Sequence, residues 1–178
     1  MDVECSGVLV CGLPHSGNRA LVNVFRRFGL EGTACHGTDH GVSVMEGWRK
    51  RHGERLAAVF PVRSIVWRRS SLLKRYAGRS HVPIDRDRPA WELDDEIITL
   101  RTMKALTELK IPFRIVSYEA IVLQPVEHCW ILLNWLGVSC TPGDVECKLR
   151  SNIRIEDGNE KHRKGADITR LTTGWAFK

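Results

Sequence analysis

Gly7-Val8-Leu9-Val10-Cys11-Gly12-Leu13 runs straight into Pro14-His15-Ser16-Gly17-Asn18-Arg19-Ala20, and this junction decides the fold. The first stretch is a short apolar run rich in β-branched side chains, the pattern of a strand buried in a parallel sheet. From Gly17 onward Leu21, Val24, Phe25 and Phe28 recur at helical spacing, and Gly29 ends the run. Gly12 and Gly17 keep the G-x-x-x-x-G spacing of a phosphate-binding loop. Glycines let backbone N–H groups converge, and a helix that starts at Gly17 aims its positive end at the same point. Two glycines also arise by chance in ordinary turns. Their place after a buried strand and at the opening of a helix favours an anion cradle over Cys11–Ala20.

Working outward, Leu56–Val62 (LAAVFPV) reads as a second buried strand, with Ser64 as N-cap of a helix carrying Ile65, Leu72 and Tyr76 on one face. Gly32–Gly53 is rich in glycine and histidine with weak periodicity. It predicts a short strand near Thr33–His36 and otherwise loop with at most one helix. His81–Pro89 reads as a surface loop. Trp91–Lys110 reads as a long helix with acidic residues early and lysines late, as the helix dipole prefers. Ile111–Ser117 (IPFRIVS) is a third strand. After Pro125, residues Val126, Cys129, Trp130, Leu133 and Leu136 mark an amphipathic helix closed by Gly137. The tail from Ser139 is polar and receives no element. Alternating strands and helices predict a single three-layer α/β/α domain over 1–178, built on a mostly parallel central sheet. Ligands of such sheets bind at the carboxyl ends of the strands, where the Gly12–Asn18 turn, Arg63 and Tyr118 all fall.

Composition narrows the function classes. The chain has 178 residues, 43% of them hydrophobic, enough for one domain with a real core. No apolar run is long enough to span a bilayer, and the N-terminus lacks a secretory pattern. The six cysteines show no CxxC pair and no zinc spacing, so they read as reduced, mostly buried thiols in a cytoplasmic protein. A formal charge of +6 favours anionic partners. The basic run Arg68–Arg79 comes without aromatic stacking residues or a reader motif, which argues against nucleic acid.

The departures from a nucleotide hydrolase are informative. Such an enzyme follows the second glycine with Lys and Ser/Thr, and ends its second buried strand in an acidic magnesium ligand. Here Asn18 and Arg19 follow Gly17, and LAAVFPV runs into Arg63. The pattern describes an anion site without a metal and argues against a degenerate P-loop kinase.

Three stretches together resemble the sulfotransferases that use 3′-phosphoadenosine 5′-phosphosulfate (PAPS). Pro14-His15-Ser16-Gly17-Asn18-Arg19-Ala20-Leu21 is similar to their 5′-phosphosulfate loop. Val62-Arg63 with Ser70-Ser71 is similar to their 3′-phosphate motif, whose spacing selects Ser71 with Ser70 as fallback. Val116-Ser117-Tyr118-Glu119-Ala120-Ile121, Pro125 and Leu132–Gly137 resemble their third conserved segment. The order holds across Gly7–Gly137. Arg163-Lys164-Gly165 matches a 3′-phosphate tripeptide of many members, and reads equally as a solvated tail.

The resemblance implies a P-loop-like phosphosulfate turn and metal-independent sulfuryl transfer from PAPS to a hydroxyl or amine, with PAP (3′,5′-ADP) as product. Pro14, Ser16, Gly17, Asn18 and Arg19 would hold the phosphosulfate. His15 stands where the family has Lys or Arg, to stabilise the leaving group. Arg63 and Ser71 would take the 3′-phosphate, and Tyr118 would lie near the adenine. A proton acceptor is expected within Gly32–Gly53, where His36, His40, Glu46 and His52 qualify by type and His36 and His40 lie nearest the strand end. The chain is short for the family, which points to an open acceptor cleft, for a glycan or other macromolecule, or to a partner that completes the site. Plainer readings stand beside these: Tyr118 as core at a strand end, Arg63 as an ion-pair partner, and the whole as a nucleotide-binding module without catalysis, which histidine at position 15 favours.

Overall fold

Small and branched apolar residues suit a strand covered on both faces, and they make the two central strands here. Val8, Leu9, Val10, Ala58 and Val59 are fully buried. The computed structural model describes residues 4–13, 16–64 and 88–155. β1 (Gly7–Val10) lies between β2 (Glu31–Ala34) and β3 (Leu56–Val62), and β4 (Phe113–Ser117) pairs with the outer side of β3. The order is β2-β1-β3-β4 and every pairing is parallel. This is the three-layer α/β architecture the strand–helix alternation predicts.

Strand alternation sends Val8, Val10, Ala57 and Val59 to one face of the sheet. There they pack with Leu21, Val22, Val24 and Phe25 of α1 (Asn18–Arg27). The same layer takes Ile121 of α4 (Tyr118–Leu123), Cys129, Leu132 and Leu133 of α5 (Pro125–Trp135), and Val145 of α6 (Pro142–Ile155). Leu9, Leu56, Ala58 and Phe60 point the other way, toward Met45 of α2 (Asp39–His52) and Ala105 and Leu106 of α3 (Arg88–Glu108). A short 3₁₀ turn, Gly53–Arg55, connects α2 to β3. Among the described residues no helix is long and apolar enough to cross a membrane. All six cysteines are thiols, and Cys11, Cys35 and Cys129 are buried.

Three regions differ from the sequence-based expectation, the first being Tyr118–Leu123, which forms α4 where no element was expected. Gly32–Gly53, expected as mostly loop, carries the 14-residue helix α2, and its strand begins at Glu31 rather than near Thr33. Only Gly41, Met45 and His52 of that helix are buried, so it has almost no apolar stripe to read. Val42, Val44 and Trp48 pack partly buried against the core beside Met45, and the ends are well marked: Thr38 accepts a hydrogen bond from the Gly41 amide, Asp39 occupies the first turn, and Arg49, Lys50, Arg51 and His52 fill the last. The tail beyond Ser139, given no element, opens with α6. Thr141 and Asp144 cap that helix reciprocally: the Thr141 amide donates to Asp144 Oδ2 at 2.8 Å, and the Asp144 amide donates to Thr141 Oγ1 at 3.2 Å. The Thr141 hydroxyl also donates to Asp144 Oδ2, at 2.7 Å; this bond first, and the Thr141 amide bond second, hold the Asp144 carboxyl below its ordinary pKa. The helix expected after Ser64 lies outside the described residues.

The amino-terminal edge of the sheet is fastened by His52. Its Nδ1 lies 3.0 Å from Ser6 Oγ, its Nε2 lies 3.6 Å from Glu31 Oε2, and Trp48 stacks on the ring at 4.9 Å between centroids. Burial holds the imidazole below its ordinary value of 6.5; Arg51 and Arg55 act in the same direction and Glu31 opposes them. The unfolded chain therefore takes up this proton at a higher pH than the folded chain. Stability contributed by neutral His52 is complete above about pH 6.5 and is lost as the pH falls toward the lower folded value. In urea titrations between pH 7.5 and 5 the wild-type midpoint should drop on acidification, and His52→Gln should flatten that drop. Parallel curves for the two proteins would count against this role.

Candidate functional site

The strand order places a topological switch beside β1. The chain leaves β1 through α1 on one face to reach β2, then returns through α2 on the other face to reach β3. The two crossovers diverge at the carboxyl ends of β1 and β3, and that divergence opens the crevice where such sheets bind ligands. Beneath it the two strands stay joined, with the Cys11 amide donating to the Val59 carbonyl at 2.8 Å. On the other side of β1 the buried thiols of Cys11 and Cys35 sit 3.6 Å apart. Their mutual hydrogen bond, with burial, pushes the Cys11 pKa well above the ordinary thiol value, as suits a packing role for this thiol.

The turn over β1 is closed by short-range bonds. The Ser16 amide donates to the Leu13 carbonyl at 3.1 Å, and Asn18 Nδ2 donates back to the Gly12 carbonyl at 2.7 Å. Ser16 is buried, and a side chain at Gly12 would run into Pro61 and Asn18. Gly17 takes φ +83°, in the left-handed region that glycine enters without a Cβ penalty. Among the described residues no side chain caps α1 at Gly17, and its first turn carries no acidic residue. The opening amides of a helix have no carbonyl partner within it, so this end presents donors and positive potential together. Asn18, where a hydrolase would have lysine, serves the loop's own backbone.

Arg63 follows β3 and is 9% exposed, which sets it apart from an ordinary surface arginine. Its guanidinium stacks over the Tyr118 ring at 4.8 Å from the centroid. Tyr118 opens α4 and is 7% exposed; burial raises its phenol pKa, against the opposing charge of Arg63. The ring edge lies against Gly17, where an added Cβ would overlap the ring's Cε2 and Cδ2 atoms. Glu119 ties the assembly together by accepting the Ser64 amide hydrogen bond at 2.8 Å, while Ser117 caps α4 through the Ala120 amide. Three separate chain segments thus meet at one place: the α1 end, the end of β3 and the end of β4.

His36 follows β2, the strand neighbouring β1, and is half-buried; His40 is exposed in the first turn of α2. Both stand at the carboxyl edge of the sheet with the turn. The loop carrying His36 is held by Thr102 of α3, fully buried, whose Oγ1 accepts the Gly37 amide at 2.7 Å and donates to the Ile98 carbonyl. Glu46 is exposed midway along α2, and His52 belongs to the opposite edge. Arg19 is exposed on the first turn of α1. Pro14, His15, Ser70, Ser71, Arg163, Lys164 and Gly165 lie outside the described residues. Sequence reasoning brought Ser16, Gly17, Asn18, Arg63 and Tyr118 to one edge. It missed Glu119 and Thr102, whose roles are hydrogen bonds to remote backbone amides that no local pattern announces.

No family model and no curated protein sequence matches the chain. Among solved structures, it is similar to the crystal structure of mouse sulfotransferase SULT7A1 complexed with PAP, with a TM-score of 0.55 and 14% sequence identity. The match covers 83% of this chain and 64% of that one. At that identity the likeness is one of fold: the chain has the parallel-sheet α/β fold of a PAP-bound sulfotransferase.

Proposed function

We propose that the chain binds PAPS and transfers its sulfuryl group to a hydroxyl or amine acceptor without a metal ion. The observation that carries this reading is the meeting of two anion-seeking elements at the switch point. One is the glycine-opened end of α1, without a side-chain cap among the described residues; the other is the buried Arg63 at the end of β3. The position where a magnesium-dependent enzyme would place a carboxylate holds this arginine, and Asn18 is bonded to the loop's own backbone. A ligand with one anionic group at the turn and a second beside Arg63 would suit these residues, and a 3′,5′-bisphosphorylated nucleotide carries two such groups. The PAP complex of the structural neighbour supports the same ligand class.

In this reading the α1 amides and Arg19 neutralise the phosphosulfate end, and His15, by its position in the sequence motif, would serve the leaving oxygen. Arg63, joined by Ser71 or Ser70, holds the 3′-phosphate, as Arg163-Lys164-Gly165 would from the tail. PAPS supplies the activated sulfuryl group. His36 or His40 takes the proton of the acceptor hydroxyl or amine, the general-base role. One specific feature favours a second reading, a binding module without turnover: position 15 holds a histidine, a residue type that does not carry the fixed charge of the family's lysine or arginine.

Calorimetric titration with 3′,5′-ADP, 5′-AMP and magnesium ATP tests the ligand class. The expected result is a preference for 3′,5′-ADP, reduced about 10- to 100-fold in Arg63→Ala, as loss of a charged hydrogen bond implies. A preference for magnesium ATP sinks the proposal. Incubation with labelled PAPS and hydroxyl or amine acceptors then separates enzyme from module: transfer supports the enzyme, and tight 3′,5′-ADP binding without transfer supports the module.

A further inference from the structure

A bisphosphorylated nucleotide holds its two charged groups a fixed distance apart, one furanose ring between them. The protein places one ring between its own two anion-seeking elements: Tyr118. Gly17, at the mouth of the phosphate turn, touches the edge of this ring, and Arg63 lies over its face at 4.8 Å from the centroid. The ring is 7% exposed, so little of it is left as an open platform for a base. It is held on the other side as well. Ser117 caps the helix that Tyr118 opens, and Glu119 accepts the amide of Ser64, the residue after Arg63. The backbone on both sides of the Arg63–Tyr118 contact is thereby pinned.

We propose that Tyr118 is a positioning residue, a spacer that sets the separation between the α1 anion turn and Arg63 and so makes the site select ligands with two anionic groups over ligands with one. The inference rests on the reading of the site as a bisphosphate pocket and adds the device by which it measures its ligand. Tyr118 acts through Arg63: without the ring the guanidinium loses the surface it lies on, and its charge is held less closely to one distance from Gly17. The α1 end keeps its donors in that case, because its closing bonds, from Ser16 and Asn18, do not involve Tyr118.

The test compares affinity for 3′,5′-ADP with affinity for 5′-AMP in wild type, Tyr118→Phe and Tyr118→Leu, each checked for folding by circular dichroism. Wild type should favour 3′,5′-ADP at least about tenfold. Tyr118→Phe, which keeps the ring, should hold that ratio. Tyr118→Leu should bring it close to one while 5′-AMP affinity changes less than about threefold. A folded Tyr118→Leu that keeps the wild-type ratio overturns the spacer and leaves the bisphosphate reading standing, as does a variant that loses both affinities equally. A wild type without preference overturns the bisphosphate reading itself. Should Tyr118→Leu not fold, Tyr118→Met, closer in length and flexible, replaces it with the same expected collapse of the ratio.

Discussion

Replacing Gly17 by alanine is expected to lower the thermal midpoint by on the order of 10 °C and to weaken 3′,5′-ADP binding by at least about 100-fold. Two costs combine. An L-residue at φ +83° loses about 1–2 kcal/mol to its own backbone. The new Cβ also overlaps the Tyr118 ring, and overpacking of this kind costs about 1–3 kcal/mol. Either the ring leaves, carrying Arg63 with it, or the turn opens and its amides diverge; both routes spoil the proposed anion site. Gly29 provides a matched control. It has φ +81° but no described atom within 4 Å of an added Cβ, so Gly29→Ala should show the backbone cost alone and leave binding unchanged. Equal destabilisation by the two substitutions, measured by thermal unfolding, would show that the Tyr118 contact is not tight.

Gly41→Ala sets two physical effects against each other, and the structure decides the sign. Alanine in a helix is favoured over glycine by about 1 kcal/mol. At position 41, however, the Cβ would overlap the carbonyl oxygen of His36, which already accepts the Thr38 amide at 2.8 Å. Backbone cannot swing aside as a long side chain does, so the start of α2 has to move. That movement breaks the Thr38 cap on the Gly41 amide, worth about 1 kcal/mol, and shifts His36 itself. The expected net effect is destabilisation of about 2–4 kcal/mol. If His36 is the proton acceptor, transfer should fall in any fraction that remains folded. Gly47 in the same helix has open space around it among the described residues, and Gly47→Ala should stabilise the protein by about 0.5–1 kcal/mol. Chemical denaturation of the pair reads both signs; a stabilising Gly41→Ala would contradict the geometry.

Much of the candidate site was legible because it is local in sequence. A buried strand, a glycine turn and a helix stripe through Leu21 and Phe25 announce themselves over a short stretch, and Arg63 is conspicuous after an apolar strand. The sheet order could not be read this way. Residues on neighbouring strands, such as Gly7 with Glu31 and Leu56, meet through pairings that carry no local mark. α2 was obscure because its buried positions are Gly41, Met45 and His52, two of them not apolar side chains, while Val42, Val44 and Trp48 are only partly buried. α6 did carry a signal, Thr141 and Asp144 around Pro142, but a cap marks only where a helix begins and leaves its length and packing open. Glu119 stood in plain view beside Tyr118; its bond to the Ser64 amide is a fact of the fold alone.

The two halves of the site differ in how much chain must be gathered to make them. Asn18 reaches the Gly12 carbonyl across 6 residues, whereas Glu119 reaches Ser64 across 55. Loop-closure entropy makes the longer contact more expensive by about 2 kcal/mol. The turn can therefore assemble with its own strand and helix early in folding, while the Arg63–Tyr118 half waits for the distant β4 strand to dock. A ligand touching both halves would act like a cross-link formed at the last step, adding its binding free energy to the closed chain only. On the proposed reading, partly folded molecules would hold the α1 turn without the second anion contact, and discrimination between one charge and two would appear only when the sheet is complete.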